Sequence, residues 1–225
     1  MFPLRDSIDH HEPSIVTKLL IGANILVFLW QFGGGIVGLE GSVLLYGFIP
    51  GLFFSDPAQE WYRLFTSMFL HGSLVHVGSN MWFLWVFGPT IEARIGSLKF
   101  LLLYLATGAG ATLAHGLTDV DALIPMVGAS GAISGVLGAY IVLYSRASVL
   151  TMVWFVLPFF FWVPAGLYLG YWILIQVLQG FAGTPGTAWW AHVGGFVLGF
   201  ILIRFLDEPR PYRTEPYWGA DTGLR

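Results

Sequence analysis

The sequence predicts an all-α membrane protein of six transmembrane helices with both termini cytoplasmic, and three observations predict it. The first is composition. Of 225 residues, 56% are hydrophobic, 17% aromatic and only 10% charged, against about 25% charged residues in soluble proteins. So few charges cannot cover the water-facing surface of a soluble fold this size. The second is length: six stretches, 16–33, 75–95, 98–117, 129–145, 164–182 and 191–206, approach the roughly 20 mostly apolar residues that a membrane helix needs. The third is charge placement. Six spans put Arg5, Lys18, Arg94, Lys99, Arg146, Arg204, Arg210, Arg213 and Arg225 on one side and leave Arg63 alone on the other. Cytoplasmic loops are rich in Lys and Arg, and a seventh span would carry the four C-terminal arginines across.

The same numbers exclude other classes. The hydrophobicity excludes a disordered chain. Ten Lys+Arg against thirteen Asp+Glu give a net charge of -3, with no basic stripe for nucleic acid. There is no cysteine, hence no disulfide framework, thiolate metal site or cysteine nucleophile.

Taken in order, residues 1–15 read as a short cytoplasmic segment. They carry Asp6, Asp9 and Glu12 without an apolar run, so a cleavable signal peptide is not expected. Residues 16–206 form the six-helix core. After the first span, a long external connection from Gly34 to Leu70 begins glycine-rich and turns apolar around Phe48, Leu52, Phe53 and Phe54, which favours the membrane interface. The second to fourth spans follow closely. Between the fourth and fifth, residues 147–163 are apolar, but Pro158 and Pro164 break helical hydrogen bonding. The expectation is a connecting segment lying in or on the membrane, with the fifth helix starting near Pro164. Residues 207–225 form a polar cytoplasmic tail containing Pro209, Pro211 and Pro216. Neither tandem nor inverted repeats occur, which speaks against a transporter.

Polar side chains at membrane depth are costly and mark function by default. The second span carries His76 and Asn80, four apart and on one face. The fourth opens Gly128-Ala129-Ser130-Gly131, and the sixth opens Ala191-His192-Val193-Gly194-Gly195. All three groups fall at the outer ends of their helices. Gly131, Gly135 and Gly138 form a smooth stripe on the fourth helix, and His192, Gly195 and Gly199 share a face of the sixth. Small residues at this spacing let helix backbones approach closely in a bilayer. Packing of these two stripes brings Ser130 beside His192, whereas glycine packing with a merely hydrogen-bonded histidine is the plainer reading.

A serine hydroxyl needs a base, and neutral imidazole is the usual one. Acyl transfer also needs donors aimed at the developing oxyanion. His76, Asn80 and the backbone N–H of Ser130 at a helix N-terminus can supply them. The acidic residues of the outer half, Glu40, Asp56, Glu60, Asp119 and Asp121, all lie in connections. The constellation therefore reads as a Ser130–His192 dyad rather than a triad.

The strings WYRLFTSMFLHGSLVHVGSN (61–80), VGASGAISGVLGAY (127–140) and WAHVGGFVLGF (190–200) resemble the rhomboid family of intramembrane serine proteases. The likeness extends over roughly 16–205. It implies a rhomboid-like six-helix bundle, Ser130 as nucleophile, His192 as general base, and His76 and Asn80 as oxyanion donors. It also implies transmembrane protein substrates, cut near the outer ends of helices that unwind easily, with membrane lipids as surroundings and no cofactor. Glu92 and Arg94 match the family's charged pair, and Trp61 and Arg63 match its external-loop motif, where lateral anchoring is the expected role.

The sequence departs from the pattern at Ser134, where some members carry an aromatic residue against the imidazole. Its orienting group is then Ser134, water, or an aromatic such as Trp189 or Trp190. Hydrolysis calls for a polar cavity open to the outer side, lined by Ser130, His192, His76 and Asn80. Gly180, Gly183 and Gly186 offer flexible backbone for a cap and gate. His71 is expected near the water boundary, His115 at an interfacial helix end, and His10 and His11 in the cytoplasmic segment. No HExxH or three-ligand cluster points to metal. The rival functions are a transporter or channel using the same polar groups, and a catalytically inactive binder of membrane helices. The expected location is a prokaryotic cell (inner) membrane.

Overall fold

The computed structural model describes residues 1–9, 13–154 and 157–208. Its framework opens with a long helix, α1 (Ile15–Phe32). The first connection then folds into four short helices, α2 (Gly38–Tyr46), α3 (Pro50–Ser55), α4 (Pro57–Glu60) and α5 (Arg63–Thr66), closed by a 3-10 turn at Ser67–Phe69. Five more long helices follow: α6 (Leu74–Ile95), α7 (Ser97–Gly116), α8 (Ser130–Tyr144), α9 (Ala165–Ala182) and α10 (Trp189–Leu206). By length and apolarity α1, α7, α9 and α10 can each cross a membrane. Helix α8 is apolar but only 15 residues long, and α6 is diluted by His76, Ser79, Asn80, Glu92 and Arg94.

The expectation of an all-α chain needs correction. A three-stranded antiparallel sheet in the order β1-β2-β3 stands beside the helices. Its strands are β1 (Phe2–Asp6), β2 (Ser148–Trp154) and β3 (Pro158–Pro164). The segment expected as an apolar connection lying in or on the membrane is thus largely a hairpin. Its β-branched and aromatic residues favour a pleated surface, with Val149 opposite Val163, Thr151 opposite Phe161 and Val153 opposite Phe159. Pro158 and Pro164 sit at the two ends of the edge strand, where a missing N–H disrupts the ladder least. The residues expected as a short cytoplasmic N-terminal segment supply β1. It pairs with β2 from Phe2↔Met152 to Asp6↔Val149, a partnership too remote in sequence for periodicity to signal.

Side-chain bonds hold the sheet against the bundle. Trp82 Nε1 donates to the Pro3 carbonyl, and Asp6 Oδ2 accepts from Thr90 Oγ1 at 2.6 Å and from Tyr140 OH at 2.9 Å. On the free edge, Phe159, Phe160, Phe161 and Trp162 are exposed, and the Arg5 guanidinium lies over the Trp162 ring.

Helix α8 forms the centre, buried without a break from Gly131 to Tyr140, and packs chiefly on α10 and α7. A methyl group at Gly195 would collide with the Gly131 carbonyl, one at Gly199 with the Gly135 carbonyl, and one at Gly138 with the Phe196 carbonyl. The two backbones therefore touch. Gly131 and Gly135 also turn their open faces to Ala111 and Thr107 of α7, so the predicted stripe serves two neighbours at once.

The opposite end is fastened by ionic groups. Glu92 accepts from the N–H groups of Val16 and Thr17 at 2.8 and 2.7 Å and from the hydroxyls of Thr17 and Ser97. It thereby satisfies donors left free at the start of α1. Arg94 forms a two-pronged pair with Asp207, at 2.7 and 2.9 Å, at the end of α10. Glu92 and Arg94 thus secure different joints, a finer division than a single charged pair.

Gly199→Ala is expected to destabilise the protein by about 1–3 kcal/mol or more, because the clash is with backbone that cannot rotate away. Gly22→Ala on α1, with open space around it, should leave stability unchanged or raise it slightly. Thermal unfolding of both variants in detergent checks the contrast.

Candidate active site

The starts of α6, α8 and α10 lie together at one end of the bundle. Ser73 caps α6, its hydroxyl accepting from the His76 N–H at 3.1 Å. That start sets His76 and Asn80 one above the other, since residues four apart share a helix face. Across from them runs the backbone of Gly128, held by its N–H to the Ser67 carbonyl at 2.9 Å. Gly128 has φ +127°, and a Cβ there would stand 2.7 Å from His76 Nε2 and 3.7 Å from Asn80 Nδ2. Both its conformation and its space exclude a side chain.

Two residues on, Ser130 is the first residue of α8, where backbone N–H groups lack intrahelical acceptors and the dipole favours an anion. The Asn80 amide nitrogen is buried and has no acceptor among the described residues. A buried donor in that state costs free energy until an acceptor arrives.

His192 reaches Ser130 from the first turn of α10. The distance from Nε2 to Ser130 Oγ is 2.8 Å, although 62 residues separate the two in sequence. On the other side of the ring, Nδ1 is 2.7 Å from Gln176 Oε1 of α9. A carboxamide oxygen only accepts, so this network assigns the proton to Nδ1 and leaves Nε2 to accept from the Ser130 hydroxyl. The Gln176 amide nitrogen donates to the Trp172 carbonyl at 3.3 Å. The Trp172 ring lies 5.9 Å from the imidazole, tilted by 34°, and Trp189 meets it edge-on at 6.2 Å. Ser130, His76 and His192 keep partial exposure, whereas Asn80 and Gln176 are buried.

The sequence left the imidazole's support open among Ser134, water, Trp189 and Trp190. Ser134 does not provide it: its hydroxyl donates back to the Ser130 carbonyl at 2.6 Å. Trp190 packs on Phe181, and Trp189 makes only the edge contact. Gln176 and Trp172 were missed. Gln176 carried the signal that singled out His76 and Asn80, an amide within an apolar span.

His71 also differs from expectation. It is fully buried rather than near water, its ring 4.9 Å from that of His76, and its backbone N–H donates to Gln31 Oε1 at 3.0 Å. His115 is half-buried near the end of α7. Arg63 is buried in the first connection, donating to the carbonyls of Leu44 and Gly47 at 2.9 and 2.7 Å and pairing with Glu60. Trp61 is exposed against Phe65. Neither residue joins the Ser130–His192 cluster. Among the described residues no group of three potential metal ligands assembles. His10, His11 and the tail beyond residue 208 lie outside the described residues.

Comparison with known proteins agrees with the motifs. A model of the rhomboid domain matches residues 58–208. The chain is 32% identical over 197 residues to the Rhomboid protease GluP of Bacillus subtilis, covering 86% of this chain and 35% of that protein. It is 29% identical over 206 residues to the mitochondrial Rhomboid protein 1 of Saccharomyces cerevisiae, covering 88% and 55% respectively. To the chloroplastic Rhomboid-like protein 11 of Arabidopsis thaliana it is 30% identical over 175 residues, covering 71% and 58%. The chain thus spans from about a third to under three fifths of these relatives' lengths.

Burial, together with the neighbouring His76, holds the His71 imidazole down at about 3, against 6.5 for the exposed group. The folded protein therefore binds fewer protons at His71 than the unfolded chain does between those values. Stability from this residue is complete above about pH 6.5 and is lost progressively as pH falls towards 3. Melting curves in detergent should show acid destabilisation from pH 7 to 4, and His71→Gln should flatten the dependence.

Proposed function

The chain belongs to the rhomboid family, and from this premise we propose that it is an intramembrane serine endopeptidase that hydrolyses peptide bonds in or near transmembrane segments of other membrane proteins. The observation that carries the reading is the 2.8 Å separation of Ser130 Oγ and His192 Nε2, in a partly exposed cluster beside the Asn80 amide nitrogen, which has no acceptor among the described residues.

The chemistry follows from the atoms. His192 Nε2 takes the Ser130 proton as Oγ bonds to the scissile carbonyl carbon. Charge on the carbonyl oxygen is met by His76, Asn80 Nδ2 and the Ser130 N–H. As the tetrahedral adduct collapses, the C–N bond breaks and His192 returns the proton to the departing amine. Water, deprotonated by His192, then cleaves the acyl-serine and restores the hydroxyl. Partial exposure of Ser130 and His192 supports a water-filled entry at this end, with α9 and the turn through Gly183 and Gly186 as its movable wall. Positive φ at both glycines gives that turn a backbone few other residues adopt.

The protein is an integral membrane protein. Its arrangement within the bilayer extends the same reading: six spans through 16–206, both termini cytoplasmic, and the site facing the outer side of a prokaryotic inner membrane. The Lys and Arg distribution supports this orientation. The segments 1–15 and 207–225 are then cytoplasmic, and transmembrane substrates reach Ser130 from the lipid.

Purified protein in liposomes with a fluorescent transmembrane substrate tests the reading. Cleavage should fall about 10⁴-fold or more in Ser130→Ala and in His192→Ala. A fluorophosphonate should label the native protein but not Ser130→Ala. Solute movement that survives Ser130→Ala, without cleavage by the native protein, would favour a channel. Asn80→Leu, which removes one oxyanion donor, should lower kcat about 10²–10³-fold with little change in KM.

A further inference from the structure

The geometry points to Gln176 as the residue that positions the catalytic imidazole, a role that rests on the serine-protease reading above. We propose that its side-chain oxygen holds the proton of His192 on Nδ1 and aims Nε2 at Ser130. A neutral amide on α9 thereby does the orienting work that a carboxylate does in three-member sites.

Four observations converge on this residue. Gln176 Oε1 lies 2.7 Å from Nδ1 while Ser130 Oγ lies 2.8 Å from Nε2, so the imidazole is fixed between two partners at opposite ring nitrogens. Gln176 is 6% exposed, leaving little water to compete for Nδ1. Its amide nitrogen is itself tied to the Trp172 carbonyl, which sets the carboxamide so that oxygen, not nitrogen, faces the ring. Finally, Trp172 lies one turn before Gln176 and covers the imidazole face, so a single helix restrains both the plane and the rotation of the ring. The alternatives are otherwise engaged: Ser134 is bonded to its own helix, and the acidic residues of the outer half lie in the connections.

The choice of an amide has a chemical consequence. Free histidine can carry its proton on either nitrogen, and only the Nδ1–H form leaves Nε2 able to accept from serine. Gln176 selects that form at all working pH values, because an amide does not titrate. It offers the imidazolium formed during attack a dipole rather than a full charge, avoiding a buried carboxylate at membrane depth, which is costly.

The test separates positioning from packing and from the protease reading itself. Protein labelled with ¹⁵N-histidine in detergent reports which ring nitrogen of His192 carries the proton, the resonance being assigned by its loss in His192→Ala. The native protein should show Nδ1 protonated. Gln176→Leu, similar in size but without the acceptor, should shift the proton to Nε2 and lower kcat about tenfold with KM within twofold of native. Gln176→Glu, which restores an oxygen acceptor, should recover most of that rate. The proposal is overturned if Gln176→Leu keeps both the native tautomer and the native kcat, or if Gln176→Glu is no faster than Gln176→Leu. If the native protein cleaves nothing while Gln176→Leu still moves the proton, the protease reading fails and the positioning of His192 by Gln176 stands.

Discussion

The direct contact of the α8 and α10 backbones is the constraint from which the rest follows. Two helices with ordinary side chains between them lie 8–10 Å apart, and small residues let them come closer. Here Gly195 and Gly199 lie against the carbonyls of Gly131 and Gly135, and the gap closes. Within lipid there is little hydrophobic gain from bringing helices together, so close packing and weak backbone contacts must supply the attraction. The same contact fixes the relative depth of the helices, because a slide by one residue would set side chains against carbonyls.

Around that contact, the working end and the opposite end are built on different logic. At the fastened end, polar groups are saturated: Glu92 accepts four hydrogen bonds, and Arg94 is matched by both oxygens of Asp207. At the end that holds Ser130 and His192, the Asn80 donor is buried without an acceptor among the described residues, and the Gly128 backbone is in a conformation that residues other than glycine rarely adopt. An unsatisfied buried donor is destabilising. The saturated far end helps to offset that cost.

Much of this was legible from residue types and spacings. Polar residues inside apolar stretches identified Ser130, His192, His76 and Asn80, and glycine spacing identified the helix pair that joins them. Those signals are local and survive reading one span at a time. The sheet was not legible, because β1 and β2 come from opposite halves of the chain and the prolines of the hairpin read equally well as helix breaks. Gln176 was visible in principle but stood among aliphatic residues, and a triad template directs attention to carboxylates. The burial of His71 followed from how the first connection folds back onto α1, which no periodicity encodes.

Helix α9 has two audiences. One face carries Trp172 and Gln176 to the imidazole, while Leu167, Leu174, Leu178 and Phe181 on its remaining surface are more than half exposed. The side chains that meet the imidazole and those that meet the surroundings are thus fixed to one rigid helix, so that any tilt of α9 moves both together.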